Sequence, residues 1–162
     1  MDASASKHFE EIKQTAETHY RSIGEVFCPY FNKPVGFSAK GLDHIKMKEW
    51  NKARLVSDQY LRLKFLKLAP TVISKSGTLQ EFVERKHFER QKINSRWELR
   101  TMVVRYYGFV AVIGKLRVKI IVKEIEGGKP FFWSIFPFWK MKEDPITGEI
   151  KKIFHEGDLE NQ

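Results

Sequence analysis

The chain is predicted to adopt an α+β fold, with helices in its first half packed on a C-terminal antiparallel sheet of about four strands. Three observations lead there. Apolar residues recur at three- and four-residue steps through much of the first half, the period of a helix with one buried face. From Trp97 onward the chain turns to Val, Ile, Phe, Tyr and Trp in period-two stretches, bounded by Gly108, Gly114 and Gly127-Gly128. Runs of helix followed by runs of strand make a segregated α+β architecture. The third observation is the stretch from Lys115 to Lys123. Leu116, Val118, Ile120 and Val122 alternate with Arg117, Lys119 and Lys123, and Ile121 is the one apolar exception on the charged side. A strand with a cationic face suits a sheet that is covered on one side and holds something negative on the other.

The elements follow in order. Phe9, Ile12, Ala16, Tyr20, Ile23 and Phe27 define one apolar stripe, so a helix is expected over residues 6–27. Ser6 would cap it, Glu10 and Glu11 would favour its first turns, and Gly24 weakens its end. Pro29 and Pro34 punctuate a connector that leads into a short strand over residues 34–37. Ser38 is the expected N-cap of a brief helix carrying Leu42, His44, Ile45 and Met47. A second long helix is expected over residues 52–68, ending before Pro70, with a loop over residues 70–77. Thr78 and Glu81 have capping-box spacing, which predicts a third helix over residues 79–90. Four strands are then expected at about 98–106, 107–113, 116–126 and 129–137. The first two would merge if the chain merely bends at Gly108. Residues 1–140 read as a single domain, with its N-terminal helix at 6–27 and its core at 34–139. Residues 141–162 read as a turn at Asp144–Gly148 and a flexible acidic tail.

Charge is concentrated in the middle. The net charge is +9, yet residues 32–140 hold 23 basic and nine acidic side chains, against three and five before them and three and six after them. A basic centre attracts phosphate backbones. Cys28 is the single cysteine, so no disulfide forms within the chain and no Cys-x-x-Cys metal pattern exists. That fits a reducing compartment, and Cys28 beside Pro29 reads as a small buried hydrophobe. The expected location is cytoplasmic, since no signal segment is evident and no apolar run reaches the roughly 20 residues that span a bilayer. The sequence lacks a phosphate loop, His-Glu-x-x-His and Gly-x-Ser-x-Gly, which disfavours nucleotide hydrolysis, zinc hydrolysis and serine-esterase chemistry. No metal or cofactor is expected.

Several segments resemble the barnase–EndoU–colicin–RelE-like nuclease superfamily, in its phage-associated branch. They are Val35-Gly-Phe-Ser-Ala-Lys-Gly-Leu-Asp-His44, Tyr106-Tyr-Gly-Phe-Val-Ala-Val-Ile113, Arg117-Val-Lys119 and Phe132-Trp-Ser-Ile-Phe-Pro137. The resemblance covers roughly residues 34–139. It implies a metal-independent endoribonuclease-like domain, in a superfamily with many toxins and some inactive members. The partners it implies are RNA and an acidic antitoxin or inhibitor protein, with no membrane. Carried over by position, His44 matches the early histidine, Arg117 or Lys119 the strand cation, and Ser134 the late-strand hydroxyl. The chain departs from better-known members in lacking a second histidine among the strands.

Metal-free RNA cleavage needs a base for the 2′-hydroxyl, an acid for the leaving 5′-oxygen and cations for the phosphorane. His44 is the expected proton-transfer group, Arg117 and Lys119 the cations, and Ser134 a donor to phosphate oxygen. Arg105 would add a cation from the neighbouring strand, and Tyr107 would position substrate. Trp133 offers a stacking plane for a base. Lys46, Lys48 and Arg54 would extend the phosphate contacts, and Arg62, Lys64 and Lys67 would widen that track. Blander roles compete: a surface histidine, solvated cations and core aromatics. The rival functions are a non-catalytic nucleic-acid-binding module and a domain that docks an acidic protein.

Overall fold

The computed structural model describes residues 3–49, 52–137, 139–143, 145–147 and 150–154. Its architecture is α+β, with helices ahead of a C-terminal sheet. Helix α1 (Ala3–Ile23) buries Tyr20 and half-buries Phe9, Ile12, Ala16 and Ile23, which is the expected stripe. It starts earlier than expected, so Ser6 lies inside it rather than at its cap. It also stops earlier. Gly24 takes φ +70°, the left-handed conformation that ends helices, and β1 (Glu25–Cys28) begins directly after it. Phe27, expected on the helix stripe, is therefore an exposed strand residue. β1 folds back on β2 (Lys33–Gly36) in an antiparallel hairpin. Cys28 is fully buried, as expected.

Ser38 precedes α2 (Ala39–Lys46) with extended backbone, but its hydroxyl makes no capping bond. Its carbonyl instead accepts the Tyr20 hydroxyl at 2.7 Å. A short pair, β3 (Met47–Glu49) and β4 (Lys52–Ala53), leads to α3 (Val56–Phe65), a 3-10 turn (Leu66–Leu68) and α4 (Ala69–Lys75). The expected loop at Pro70 is thus a helix. Proline fits the first turn of α4 because an N–H there has no helical partner to lose.

The expected helix over residues 79–90 is a strand, β5 (Glu81–Ile93). Its Glu-, Arg- and Lys-rich composition favours helix locally. Unbroken pairing with all of β6 from Arg96 to Gly108 overrides that preference. β6 (Arg96–Ile113) is one continuous strand through Gly108. β7 (Leu116–Ile125) and β8 (Phe131–Pro137) complete an antiparallel meander. β9 (Trp139–Glu143) and β10 (Ile150–Phe154) pair as a hairpin on either side of the expected turn, whose residues 145–147 are described, where the tail beyond it was expected to be loose. The rest of the expected tail, residues 155–162, lies outside the described residues.

The sheet has six strands in the order β1-β2-β8-β7-β6-β5, not four. It is mixed, because β2 joins β8 in parallel through the single pair Gly36 and Phe131. Past that pair, α2 packs beside β8 so closely that Gly41 faces the Phe132 carbonyl. One sheet face buries Val118, Ile120, Val122, Phe109, Phe132 and Ile135 beneath residues from α1, α2, α3 and α4. The opposite face holds a second cluster of Val104, Tyr106, Ile121, Ile125 and Phe136. The charged side of β7 is therefore not an open solvated surface: Lys119 is fully buried and Lys123 is 5% exposed.

Candidate functional site

A bulge in β8 creates the site. Phe132 pairs with Val122 and Ser134 with Ile121, so one extra residue, Trp133, stands between two successive pairs. A bulged residue breaks strict alternation and redirects its side chain. The Trp133 ring consequently joins the side of the sheet that carries Tyr106 and Lys123, at 6.4 Å and 4.2 Å from them. The His44 imidazole stacks on the same indole at 4.0 Å and 18°. His44 is 7% exposed, so it is not the surface histidine of the blander reading.

Two arginines fix what surrounds it. Arg54 donates from Nε to the His44 carbonyl at 2.9 Å and from Nη1 to Asp58 at 3.3 Å. Its Nη2 lies 3.0 Å from His44 Nε2. A guanidinium only donates, so Nε2 must accept, and the imidazole proton is assigned to Nδ1. Arg62 donates from Nε to Asp58 at 2.9 Å and from Nη1 to the Ser134 hydroxyl, and its guanidinium covers Phe136 at 4.9 Å. Arg54, Asp58 and Arg62 are spaced by four residues, which lines them up along one side of α3 and its approach. Both arginines are buried, and among the described residues Asp58 is the one carboxylate that either reaches. Among the described residues, one positive charge is thus left over. Burial brings the Arg54 pKa down to about 10, with Arg62 adding to the effect and Asp58 opposing it. Burial lowers that of Arg62 too, again against Asp58.

The lysines of β7 are held differently. Lys119 pairs with Glu81 at 2.6 Å and Lys123 with Glu89 at 3.0 Å, both carboxylates coming from β5. The Lys119 ammonium lies 5.9 Å from the Phe136 ring, the same ring that Arg62 covers. Tyr106 meets His87 at 3.4 Å, and His87 meets Glu89 at 3.5 Å.

Of the residues expected from sequence, His44, Ser134, Trp133, Lys119 and Arg54 come together. Arg117 shares the face of Lys119. However, it lies four residues along β7 from the partner of Ser134, about 13 Å at the usual strand rise. Arg105 and Tyr107 belong to the opposite face. Arg105 pairs with Glu84 at 2.7 Å and Glu124 at 3.4 Å, and the Tyr107 hydroxyl donates to Glu124. Burial, then Glu124, push the Tyr107 phenol up to about 12. Lys46 binds Glu17 at 3.1 Å, and Lys48 is exposed on β3. Lys64 and Lys67 are exposed, whereas Arg54 and Arg62 point inward. Trp133 is not an open platform, because the imidazole occupies it. The residues that sequence reasoning left out of the site are Asp58, Tyr106 and Lys123, and it read Arg62 as part of an outward track. The Arg54-Asp58-Arg62 spacing was the available signal for that inward stripe.

Among the described residues, no His, Cys, Asp and Glu cluster could hold a metal ion, and no helix is long and apolar enough to cross a membrane. No family model, curated protein or solved structure matches the chain.

Proposed function

We propose that the chain is a metal-independent endoribonuclease-like domain whose cleavage site is the cluster around Trp133. The observation that carries this reading is the positive charge left over among the described residues. Two buried guanidiniums share one carboxylate and touch an imidazole and a hydroxyl. A buried cation with half a partner is costly, and a phosphate is the natural group to complete it. The resemblance of residues 34–139 to the barnase–EndoU–colicin–RelE-like superfamily points the same way.

In this mechanism the substrate phosphate takes the Arg54 Nη2 hydrogen that now binds His44. The Nε2 lone pair is then released and accepts the proton of the 2′-hydroxyl, which attacks the adjacent phosphorus. Arg54 and Arg62 stabilise the charged phosphorane, while Lys119 stays buried in its pair with Glu81. Ser134 accepts from Arg62, so its own O–H donates to a phosphate oxygen. The P–O5′ bond breaks and leaves a 2′,3′-cyclic phosphate. The leaving oxygen takes its proton from a neighbouring cation or from water.

A second reading has its own support. Lys119 and Lys123 are buried and neutralised by Glu81 and Glu89, which suits a cluster that holds the sheet together in a non-catalytic RNA-binding module whose RNA lies elsewhere. Incubation with mixed RNA in excess chelator separates the two. The enzyme reading expects fragments with 2′,3′-cyclic phosphate ends by mass spectrometry. RNA that is bound yet stays intact at high protein concentration supports the binding module and overturns the enzyme.

A further inference from the structure

The hairpin of β5 and β6 reaches far beyond the sheet. β6 pairs with β7 only from Val104 onward, so Arg96–Val103 and their β5 partners form a two-stranded arm. The two faces of this arm differ in chemistry. One face carries His87, Glu89 and Gln91 on β5, all partly covered, opposite Met102, Arg100 and Glu98. Both carboxylates of the arm lie on this face, and Glu89 is engaged with Lys123. The other face carries Lys86, Phe88, Arg90 and Lys92 opposite Val103, Thr101, Leu99 and Trp97. That face has three cations and no acid. Phe88 and Trp97 are 68% and 63% exposed, and the Arg90 guanidinium lies 6.0 Å from the Trp97 ring. A groove of about 530 Å³ lies beside them; α2 contributes Lys40 to its wall, and β5 contributes Glu89, which is engaged with Lys123.

Two large rings left in water are an unfavourable arrangement unless something covers them. Flat apolar rings interleaved with cations, on strand positions that carry no carboxylate, match a single-stranded nucleic acid. Bases stack on the rings while phosphates meet the ammonium and guanidinium groups. We propose that this acid-free face of the β5–β6 arm binds single-stranded RNA and feeds it to the site around Trp133. The proposal rests on the RNA reading above. Those rings lie on the face turned away from the Glu89–Lys123 and His87–Tyr106 contacts, so the strand passes to the site around the β5 edge, where the groove brings Lys40 of α2 beside Phe88 and Trp97.

The test is fluorescence anisotropy with a labelled single-stranded RNA of about 12 nucleotides, within the usual range of single-strand site sizes. It is run on the full chain in a His44→Ala background, so that cutting does not enter the readout. The double variant Phe88→Ala, Trp97→Ala is expected to bind about 30-fold more weakly. The triple variant Lys86→Gln, Arg90→Gln, Lys92→Gln is expected to lower the salt slope of log K by about 2. All five side chains are exposed, and circular dichroism checks that the fold is kept. Unchanged affinity and salt slope in both variants overturn the proposal. So does a background protein that binds no RNA. A third overturning result is self-association that the double variant abolishes while RNA affinity stays the same, which makes the arm a contact between copies. Arm-dependent binding without any cleavage by the unmodified chain overturns the enzyme reading and keeps the arm. Cleavage with arm-independent binding does the reverse.

Discussion

His44→Ala is expected to lower the rate of RNA cleavage by about 10² to 10⁴, the usual weight of one positioned proton-transfer group. The imidazole also stacks on Trp133 at 4.0 Å, so the alanine variant loses packing as well as a nitrogen. His44→Phe separates the two effects. It keeps an aromatic ring on the indole but removes the Nε2 acceptor that Arg54 addresses. Single-turnover cleavage of a labelled oligonucleotide should fall equally in both variants, while the melting temperature should fall mainly in the alanine one. A phenylalanine variant that cuts at the normal rate would show that His44 is a packing residue and that the chemistry lies elsewhere.

Gly41→Ala carries the largest expected effect on stability. Helix propensity alone favours alanine over glycine by about 1 kcal/mol. Packing opposes that gain. A Cβ at this position would run into the Phe132 carbonyl and the Tyr20 hydroxyl. The carbonyl belongs to β8 and has no room to retreat, and the hydroxyl is held by its bond to the Ser38 carbonyl. The clash wins, and a net loss of about 2 kcal/mol is expected from overpacking. The midpoint of urea unfolding measures it. Cleavage should suffer too, because α2 carries His44 and sits beside Trp133. A neutral or stabilising outcome would mean that α2 does not lie against β8 as described.

The α+β class was legible because its two signals are local: the stripe of α1 and the alternation of β7. β5 was not, since its Glu-, Arg- and Lys-rich residues favour a helix unless β6 is present to pair with them. The same limit applies to the site. His44, Lys119 and Ser134 could be nominated by residue type, but the bulge that brings Trp133 beside them exists only in the register of β8 against β7. The placement of Arg105 and Tyr107 was within reach. A two-residue turn at Gly114-Lys115 pairs Ile113 with Leu116, and counting back from it puts Arg105 opposite Glu124, away from Lys119. Arg54 and Arg62 were read as outward cations because charge runs usually are. Their shared Asp58, four residues from each, was the hint that they turn inward as a unit.

In the proposed mechanism His44 Nε2 accepts from Arg54 until a phosphate draws that guanidinium away. Long-range proton–nitrogen NMR of the full chain reads this directly at His44. At neutral pH without ligand, the account predicts a neutral ring with its proton on Nδ1. Titration with a nucleoside 3′-monophosphate should then shift the Nε2 resonance as the Arg54 contact is lost. A proton on Nε2 in the ligand-free chain, or an Nε2 signal that ignores the nucleotide, would contradict it.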